Sequence, residues 1–219
     1  MEFKCDLETI RRRYRWLAPI YPLFELLWWL PSGIRGRAVD RLKLANGDRV
    51  AEIGYGTGRN LRRLAAAVGP NGKVYAVDCC EEMLAHAVKL RDRAGWRNVV
   101  PLLQDGAQLT LPEMVDGVLF SLSYSVIPDP TGALTAAWKH LRNGRRRVVM
   151  DGKLASGICG YLSRPYVVWL SRRTVLGNPT RVPTSHLQDF TQSVEFEEFN
   201  LGTYYICTAT KTVGMGNAT

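Results

Sequence analysis

The fold of this chain is decided by one stretch, Val50-Ala51-Glu52-Ile53-Gly54-Tyr55-Gly56-Thr57-Gly58-Arg59-Asn60. It starts with an apolar run, which favours a buried strand, and continues into a loop with glycine at every second position. Glycine allows a tight turn and lets the backbone come close to a ligand, because no Cβ stands in the way. The stretch therefore predicts a strand, a ligand-binding loop and then a helix.

The glycine spacing and the acid before it indicate the kind of ligand that the loop binds. In a dinucleotide-binding fingerprint the third glycine follows the second by three residues, whereas Gly54, Gly56 and Gly58 are two residues apart. The acid, Glu52, lies two residues before the first glycine, where it would repel a pyrophosphate and attract a cation. The pattern favours a zwitterionic, positively charged cofactor over NAD.

Two further acids and a methionine follow at strand ends. Asp78 ends the next predicted strand, where a carboxylate can accept both hydroxyls of a ribose. Met83 would bring a soft apolar side chain towards an adenine face, and Asp105 could accept from the adenine amino group. Each signal is weak alone, because strand-terminal Asp residues are common N-caps and methionine is more often core. Together and in this order they predict a site for an adenosyl group.

Strands and helices alternate on both sides of this stretch, which predicts an α/β fold with a Rossmann-like, doubly wound and mostly parallel sheet. The strands predicted in parallel units are Val50–Ile53, Lys73–Val77, Val99–Leu103, Gly117–Leu122 and Arg147–Asp151. The helices between them are expected at Asn60–Val68, about 81–94 and Thr131–Leu141. A final pair, Val194–Asn200 and Thr203–Lys211, should be antiparallel because one short turn joins the two strands.

The rest of the chain is predicted to form a lid, a cap and a tail. Residues 1–45 should be a helical lid, with two short pieces between Leu7 and about Leu30, since Pro19 and Pro22 argue against one helix, and another helix over Ile34–Leu44. Residues 46–212 should be the cofactor-binding domain, with a cap insertion at about 153–190. Residues 213–219 should be a flexible tail.

At these positions the sequence resembles the class I S-adenosylmethionine-dependent methyltransferases. The likeness rests on the glycine loop, on Val77-Asp78-Cys79-Cys80-Glu81-Glu82-Met83-Leu84 and on Gln104-Asp105-Gly106. It implies a seven-stranded sheet whose last strand is antiparallel, and S-adenosyl-L-methionine as the cofactor. Cys80 departs from the pattern, where serine is usual, but removes no cofactor carboxylate. The cofactor-binding residues expected from pattern and resemblance are Tyr21, Glu52, Gly54, Tyr55, Gly56, Gly58, Asp78, Cys79, Met83, Asp105, Gly106, Phe120 and Ser121.

The segment Tyr14-Arg15-Trp16-Leu17-Ala18-Pro19-Ile20-Tyr21 resembles the entry segment of two related groups within that class. These are the bacterial phospholipid N-methyltransferases and the quinone C-methyltransferases, in which the segment lids the cofactor. The quinone group usually has Asp after the second tyrosine, whereas Pro22 stands here, and Gly202-Thr203-Tyr204-Tyr205 is more similar to the phospholipid group. The resemblance thus implies a phospholipid amine of the phosphatidylethanolamine type as acceptor.

The charge of the chain is concentrated in one segment. Residues 142–181 hold nine basic residues and one acid, a net +8, while the other 20 basic and 19 acidic residues give +1 of the total +9. Such a segment favours an anionic partner, although a solvated basic face without a partner stays open. No nucleic-acid partner is expected, because no recognised binding motif accompanies the charge. The sequence does not indicate an oligomeric state.

Aromatic residues accompany the basic ones, which is typical of an interfacial element. Trp16, Trp28 and Trp29 lie near an arginine cluster, and Tyr161, Tyr166 and Trp169 near further arginines. Either these aromatics meet an anionic membrane surface, or they pack against the sheet. No run reaches the roughly 18 apolar residues of a membrane span, and the N-terminus has no secretory pattern. We therefore expect a cytoplasmic protein that is peripheral on the inner face of the membrane.

Methyl transfer is an in-line displacement for which the protein mainly positions the reactants. The residues predicted to carry catalysis are Tyr21 and Tyr124, at the substrate mouth, and His186, as the one candidate base, while His86 and His140 should lie on the surface. The five cysteines lack metal-ligand spacing, so no metal is expected. The acceptor is predicted to be lipid-linked or amphipathic. Quinone or other small-molecule C- or O-methylation, and a non-catalytic cofactor-binding or membrane-docking module, are the alternatives.

Overall fold

A computed structural model describes Glu8, residues 30–173 and residues 177–212, with the side chains of residues 172 and 173 excepted. The predicted lid before Leu30, including Tyr21, and the predicted tail 213–219 therefore lie outside the described residues. In the described part of the chain no helix has both the length and the apolar character that crossing a bilayer requires.

One seven-stranded sheet forms the centre of the molecule, as predicted. From one edge to the other its strands run in the order β3-β2-β1-β4-β5-β7-β6, with β1 to β5 parallel and β7 antiparallel to both of its neighbours. The strands are β1 (Arg49–Ile53), β2 (Lys73–Asp78), β3 (Val99–Leu103), β4 (Val115–Ser121), β5 (Leu141–Gly152), β6 (Val194–Phe199) and β7 (Tyr204–Thr210).

Helices cover both faces of this sheet. They are α1 (Ile34–Arg41), α2 (Leu61–Val68), α3 (Glu81–Ala94), α4 (Pro130–His140), α5 (Gly157–Arg173) and α6 (Thr184–Gln188), with a short 3₁₀ helix at Gly106–Gln108. Side chains of α1, α2 and α3 form one core cluster with the sheet, and side chains of α4 and α6 form a second cluster on the opposite face. Because successive strand residues point to opposite faces, strands such as β4 are buried along their whole length.

The predicted elements agree with these bounds to within two residues, except at α1, which ends at Arg41 and not at Leu44, and at β5. We predicted a strand over Arg147–Asp151, but it begins at Leu141, directly after α4. The arginine-rich start becomes strand because carboxylates from other elements neutralise it: Arg142 and Arg145 pair with Asp116, and Arg145 also pairs with Asp48.

The parallel strands β1, β2, β3 and β4 all end at the same edge of the sheet, as their registers require. Open α/β sheets bind ligands at this carboxyl-terminal edge. The glycine loop after β1 and the acids at the ends of β2 and β3 are thereby brought together.

Candidate cofactor and acceptor cleft

A cleft opens at the carboxyl-terminal edge of the sheet, over the ends of the first four strands. It brings together most of the residues that the sequence analysis predicted to bind a cofactor. Its lining includes, from those predictions, Gly54, Tyr55, Gly56, Asp78, Cys79, Met83, Asp105, Gly106 and Ser121.

The glycine loop presents bare backbone to this cleft. Gly54 and Gly56 have positive φ values of 71° and 56°, a conformation that side chains disfavour. A Cβ on Gly54 would lie 2.6 Å from the Cβ of Ser123, whereas a Cβ on Gly56 would meet no atom within 4 Å. The first glycine is thus required by packing, and the second leaves open space where a ligand can approach.

Asp78 holds that loop in place. Its two carboxylate oxygens accept hydrogen bonds from the backbone N–H groups of Gly56 and Cys80, each at 3.0 Å. Burial raises the pKa of Asp78, while the backbone donors lower it. The carboxylate is therefore fixed between the glycine loop and the start of α3, facing the cleft that it lines.

Glu52 lies beneath the loop and is fully buried. Its Oε1 atom accepts from the Asn60 side-chain amide at 2.6 Å, and its Oε2 atom has no hydrogen-bond partner among the described residues. Burial raises the pKa of Glu52 to about 7, against the lowering effects of Asn60 and Arg35. Since a buried polar atom normally has a partner, this oxygen indicates a place for a further donor or cation.

The far end of the cleft carries the other predicted contacts. Met83, on the first turn of α3, is buried but borders the cleft. Cys79, which follows the last residue of β2, also borders the cleft. Asp105 lines the cleft and also caps the short 3₁₀ helix, since its Oδ1 atom accepts from the Ala107 N–H at 3.0 Å. Both interpretations of Asp105, as cap and as ligand contact, are therefore compatible with its position.

Arg35 is a cleft residue that the sequence analysis missed. It lies in the first turn of α1, lines the cleft, and donates from Nη1 to the Ser121 hydroxyl at 3.0 Å. The two residues are separated by 86 positions, so no local pattern could have joined them. This guanidinium supplies a positive charge opposite the acids of the site.

The loop after β4 forms another wall of the cleft. It contains Leu122, whose φ of 55° is unusual for a residue other than glycine, and Ser123, whose hydroxyl donates to the Ile53 carbonyl at 2.6 Å. Ser121 lines the cleft, but the side chain of Phe120 packs into the core cluster on the α4 face. Any contact of Phe120 with a ligand would therefore involve its backbone.

The predicted catalytic side chains do not meet in the cleft. Tyr124 is fully buried, and its hydroxyl lies 2.8 Å from Nδ1 of His186, outside the cleft lining. Burial raises the pKa of Tyr124 to about 12. The expectation that Tyr124 lines the substrate mouth is not met, because the chain turns at Leu122 and directs the tyrosine into the core. Tyr21 lies outside the described residues, and Gly58 and Glu52 support the loop without lining the cleft.

The other two histidines differ in their surroundings. His86 is exposed, as expected. His140 is half-buried, with Nε2 placed 3.3 Å from the Leu109 carbonyl and 3.4 Å from the Leu111 N–H. The described residues contain no group of three or more His, Cys, Asp or Glu side chains that could hold a metal ion.

The basic segment 142–181 is not one free positive surface. Arg147 is fully buried between the rings of Trp138 and Phe190, at 4.6 and 4.8 Å from their centroids. Burial lowers the pKa of Arg147 to about 9. Other basic side chains are bound by carboxylates or carbonyls of the fold: Arg142, Arg145, Arg146, Lys153 and Arg181.

What α5 exposes instead is a row of large apolar side chains. Five of them, spaced so that they share one side of the helix, are between 49% and 79% exposed. Tyr166 and Trp169 stack on each other, with ring centroids 6.2 Å apart. We call this the apolar face of α5, and it consists of Ile158, Tyr161, Leu162, Tyr166 and Trp169.

Comparison with known proteins agrees with the fold. A family model described as a methyltransferase domain matches residues 50–144. The chain is 33% identical over 121 residues to a protein-L-isoaspartate O-methyltransferase of Methanothrix thermoacetophila, covering 54% of each chain. It is 33% identical over 111 residues to aklanonic acid methyltransferase DauC of a Streptomyces species, covering 50% of each. The chain thus spans about half the length of these curated relatives.

Solved structures extend the likeness in fold to most of the chain. One is a chain of the complex between the Haloferax volcanii Trm112 methyltransferase activator and a methyltransferase, with 15% identity, a TM-score of 0.72 and coverage of 95% of this chain and 100% of that one. Another is a SAM-dependent methyltransferase of Aquifex aeolicus, with 21% identity, a TM-score of 0.58 and coverage of 82% and 93%. The predicted fold is confirmed, while the predicted phospholipid or quinone subgroup stays a prediction.

Proposed function

Since this chain carries a class I S-adenosylmethionine-dependent methyltransferase domain, we propose that it transfers a methyl group to a lipid-linked or amphipathic acceptor. The acceptor class that we favour is a phospholipid amine of the phosphatidylethanolamine type, met at an anionic membrane surface. The observation that carries this proposal is the apolar face of α5, which faces solvent on the helix that follows β5.

The cleft fits S-adenosylmethionine on two observations. The space in front of Gly56, which a Cβ would enter, suits close approach of a ligand to the backbone. The guanidinium of Arg35, which lines the cleft, suits the carboxylate of an amino acid, because the two carry opposite charges. When bound, the cofactor would supply a methyl group on a positively charged sulfur. A nucleophile can attack the methyl carbon, and the sulfur then leaves as a neutral thioether.

We assign roles to the chain's own residues accordingly. Asp78, fixed by two backbone N–H groups, would accept from the ribose hydroxyls, and Asp105 would face the adenine. Arg35 and the loop after β4 would hold the methionine end, because they lie across the glycine loop from those two acids. Each group is held by the fold before a ligand arrives, which lowers the entropic cost of positioning the reactants.

An amine acceptor suits a lining whose described carboxylates, Asp78 and Asp105, are both assigned to the cofactor. An ammonium group has to lose its proton to solvent before it attacks, and the neutral amine then needs no strong general base. No histidine or lysine lines the described part of the cleft. Phenolic oxygen or ring carbon would need a base, and the Tyr124–His186 pair lies outside the lining.

The placement of α5 supports an amphipathic acceptor. The helix follows β5, which ends next to β4, and the chain after α5 returns to the loop after β4, where the Asn178 N–H donates to the Ser125 carbonyl at 2.9 Å. We call the part of the chain between the end of β5 and Asn178 the α5 excursion. Both of its ends therefore reach the region of the cleft. Tyrosine and tryptophan at the headgroup level, with the exposed Arg164 on the same helix, are typical of an interfacial element.

A second candidate is methylation of a soluble small molecule, such as a quinone-like C- or O-acceptor. It is favoured by one observation, the 33% identity over 111 residues with aklanonic acid methyltransferase. In this case the apolar face of α5 would have no role in catalysis.

A radiolabelled methyl-transfer assay separates the two candidates. The protein is given labelled S-adenosylmethionine with either vesicles that contain phosphatidylethanolamine and an anionic lipid, or a pool of soluble metabolites. We expect label in the lipid phase. Label only in water-soluble products would overturn the lipid proposal and leave the methyltransferase in place.

Surface variants test directly whether the apolar face of α5 binds the membrane. The double variant Tyr161→Ser/Leu162→Ser should lose vesicle flotation at low salt and lipid methylation, since each side chain is more than 70% exposed and contributes little to the core. Met114→Ser, which changes an exposed apolar residue away from α5, is the matched control and should behave as the parent protein. Equal flotation of the two variants would count against α5 as the contact.

A further inference from the structure

The loop after β4 is held from two sides that do not belong to the cofactor site. Its residues Val126, Ile127 and Pro128 line the cleft, and its start is constrained by the left-handed conformation of Leu122. The same loop contacts the end of β5 and the chain that returns from α5. It is therefore a shared element between the cleft and the α5 excursion.

The first attachment is Asp151, a fully buried carboxylate at the end of β5. Its Oδ2 atom accepts from the Ser125 N–H at 2.8 Å, and its Oδ1 atom accepts from the Ser125 hydroxyl at 3.0 Å and from the Gly152 N–H at 2.7 Å. Hydrogen bonds to a charged acceptor in the interior are stronger than neutral ones. Asp151 thus fixes the middle of the loop to the strand from which α5 departs.

The second attachment comes from the residues that follow α5. The Arg181 guanidinium donates from Nη1 to the Ile127 carbonyl at 2.7 Å and to the Ser125 carbonyl at 3.4 Å, and the Asn178 N–H donates to the Ser125 carbonyl at 2.9 Å. Gly177 packs so closely on Ser125 that a Cβ would overlap its side chain. The return segment and the loop therefore cannot move independently.

We propose that Asp151 and Arg181 are positioning residues that clamp the loop after β4 to both ends of the α5 excursion, so that binding in the cleft and binding at the apolar face of α5 are coupled. The clamp depends on the proposed function only for the identity of the surface that the apolar face of α5 binds. Coupling between two sites is reciprocal: if a surface bound at α5 raises the affinity of the cleft for its ligand, a ligand in the cleft raises the affinity of α5 for that surface by the same factor.

This reciprocity gives a test that needs no acceptor. Hydrogen–deuterium exchange is measured on the intact protein with and without S-adenosylhomocysteine, over the loop 122–129 and the return segment 177–183. In the parent protein both segments should slow, by about tenfold, the effect of one or two hydrogen bonds. In Arg181→Gln the loop should still slow, while the return segment should slow less than in the parent protein.

Controls separate the clamp from a general loss of structure. Arg142→Gln changes an arginine of the same segment that pairs with Asp116 at the opposite edge of the sheet, and should keep the parent pattern. Arg181→Lys, which keeps a cation, should restore part of the effect. Ser125→Ala, which deletes only the hydroxyl bond to Asp151, should speed exchange in 122–129 of the ligand-free protein.

Two results would overturn the clamp. One is a return segment whose exchange does not respond to S-adenosylhomocysteine in the parent protein, and the other is an Arg181→Gln protein with the parent pattern. Neither depends on lipid methylation, so a failure of the proposed acceptor is read separately. With an accepted substrate, Arg181→Gln should raise the KM for the acceptor more than the KM for S-adenosylmethionine.

Discussion

At the amino-terminal edge of the sheet the carboxylates are paired with arginine and lysine, whereas at the carboxyl-terminal edge they are held mainly by neutral donors. Asp116 pairs with Arg142 and Arg145, and Glu113 is bound by Arg49 at 2.6 Å and by Lys73 at 3.0 Å. Hydrogen bonds from Tyr75 and Lys73 lower the pKa of Glu113 to about 2. These acids are satisfied within the fold.

The acids at the other edge differ in every respect. Glu52, Asp78 and Asp151 accept from a side-chain amide, backbone N–H groups or a hydroxyl, and burial raises the pKa of each. Burying a carboxylate without a close opposite charge costs stability. The difference teaches that the two edges serve different ends: the paired acids stabilise the fold, whereas at the other edge Asp78 lines the cleft, and Glu52 and Asp151 hold the chain segments around it.

The largest effect should follow from removing charge at the ligand edge. Asp78→Ala deletes a carboxylate expected to accept two ribose hydrogen bonds, so the affinity for S-adenosylhomocysteine should fall about 100-fold or more, since bonds to charged groups contribute roughly 1.5–3 kcal/mol each. Isothermal titration calorimetry measures this. Asp92→Ala, an exposed acid on α3, is the control, and equal affinity of the two variants would show that the site is misplaced.

The paired edge should respond in stability and not in binding. Asp116→Asn leaves Arg142 and Arg145 without their shared carboxylate, which is almost fully buried, so the free energy of unfolding should fall by about 2 to 3 kcal/mol. Denaturant unfolding measures the change, with the exposed Asp40→Asn as control. A large loss of S-adenosylhomocysteine affinity in folded Asp116→Asn would break the division between the edges.

The smallest of these effects is a pH dependence at Glu52. The pKa of its carboxyl is about 7 in the folded protein and 4.5 unperturbed, so the folded state favours the protonated form. The stability from this group is fully present below pH 4.5 and is lost as the pH rises through 7. Glu52→Gln, which resembles the protonated acid, should thus gain stability relative to the parent, and the gain should be about 2 kcal/mol larger at about pH 8.5 than at about pH 5.5.

Thermal or denaturant unfolding of the ligand-free protein at the two pH values checks this. A gain of equal size at both pH values would mean that Glu52 is ionised at both, and that burial does not raise its pKa in the folded protein. Glu113→Gln should show no such gain on raising the pH, because the pKa of Glu113 is lowered.

The parts of the molecule that follow local chemistry could be predicted from the sequence. The glycine loop, Asp78 and Asp105 were found because each lies at a strand end, and parallel strands bring those ends to one edge. The bounds of α3 and β3 were predicted correctly, since apolar periodicity and turn residues mark them. These features depend on neighbours within a few residues.

Features that depend on distant partners could not be predicted in this way. Arg35 meets Ser121, which lies 86 positions later in the chain, and Arg147 is buried because Trp138 and Phe190 enclose it. The place of Tyr124 after β4 suggested a mouth residue, but the left-handed turn at Leu122 sends it into the core. A count of charge along 142–181 likewise does not tell which arginines are buried or bound by other residues of the fold.

The position of β7 has a consequence for how this chain is made. β7 lies between β5 and β6, so both of its neighbours leave the ribosome before it does. Until residues 204–210 emerge, the backbone groups along one side of β5 have no strand to pair with, and an unpaired strand edge invites association with other chains. The period of greatest exposure to aggregation during synthesis should therefore last until residues 204–210 have emerged.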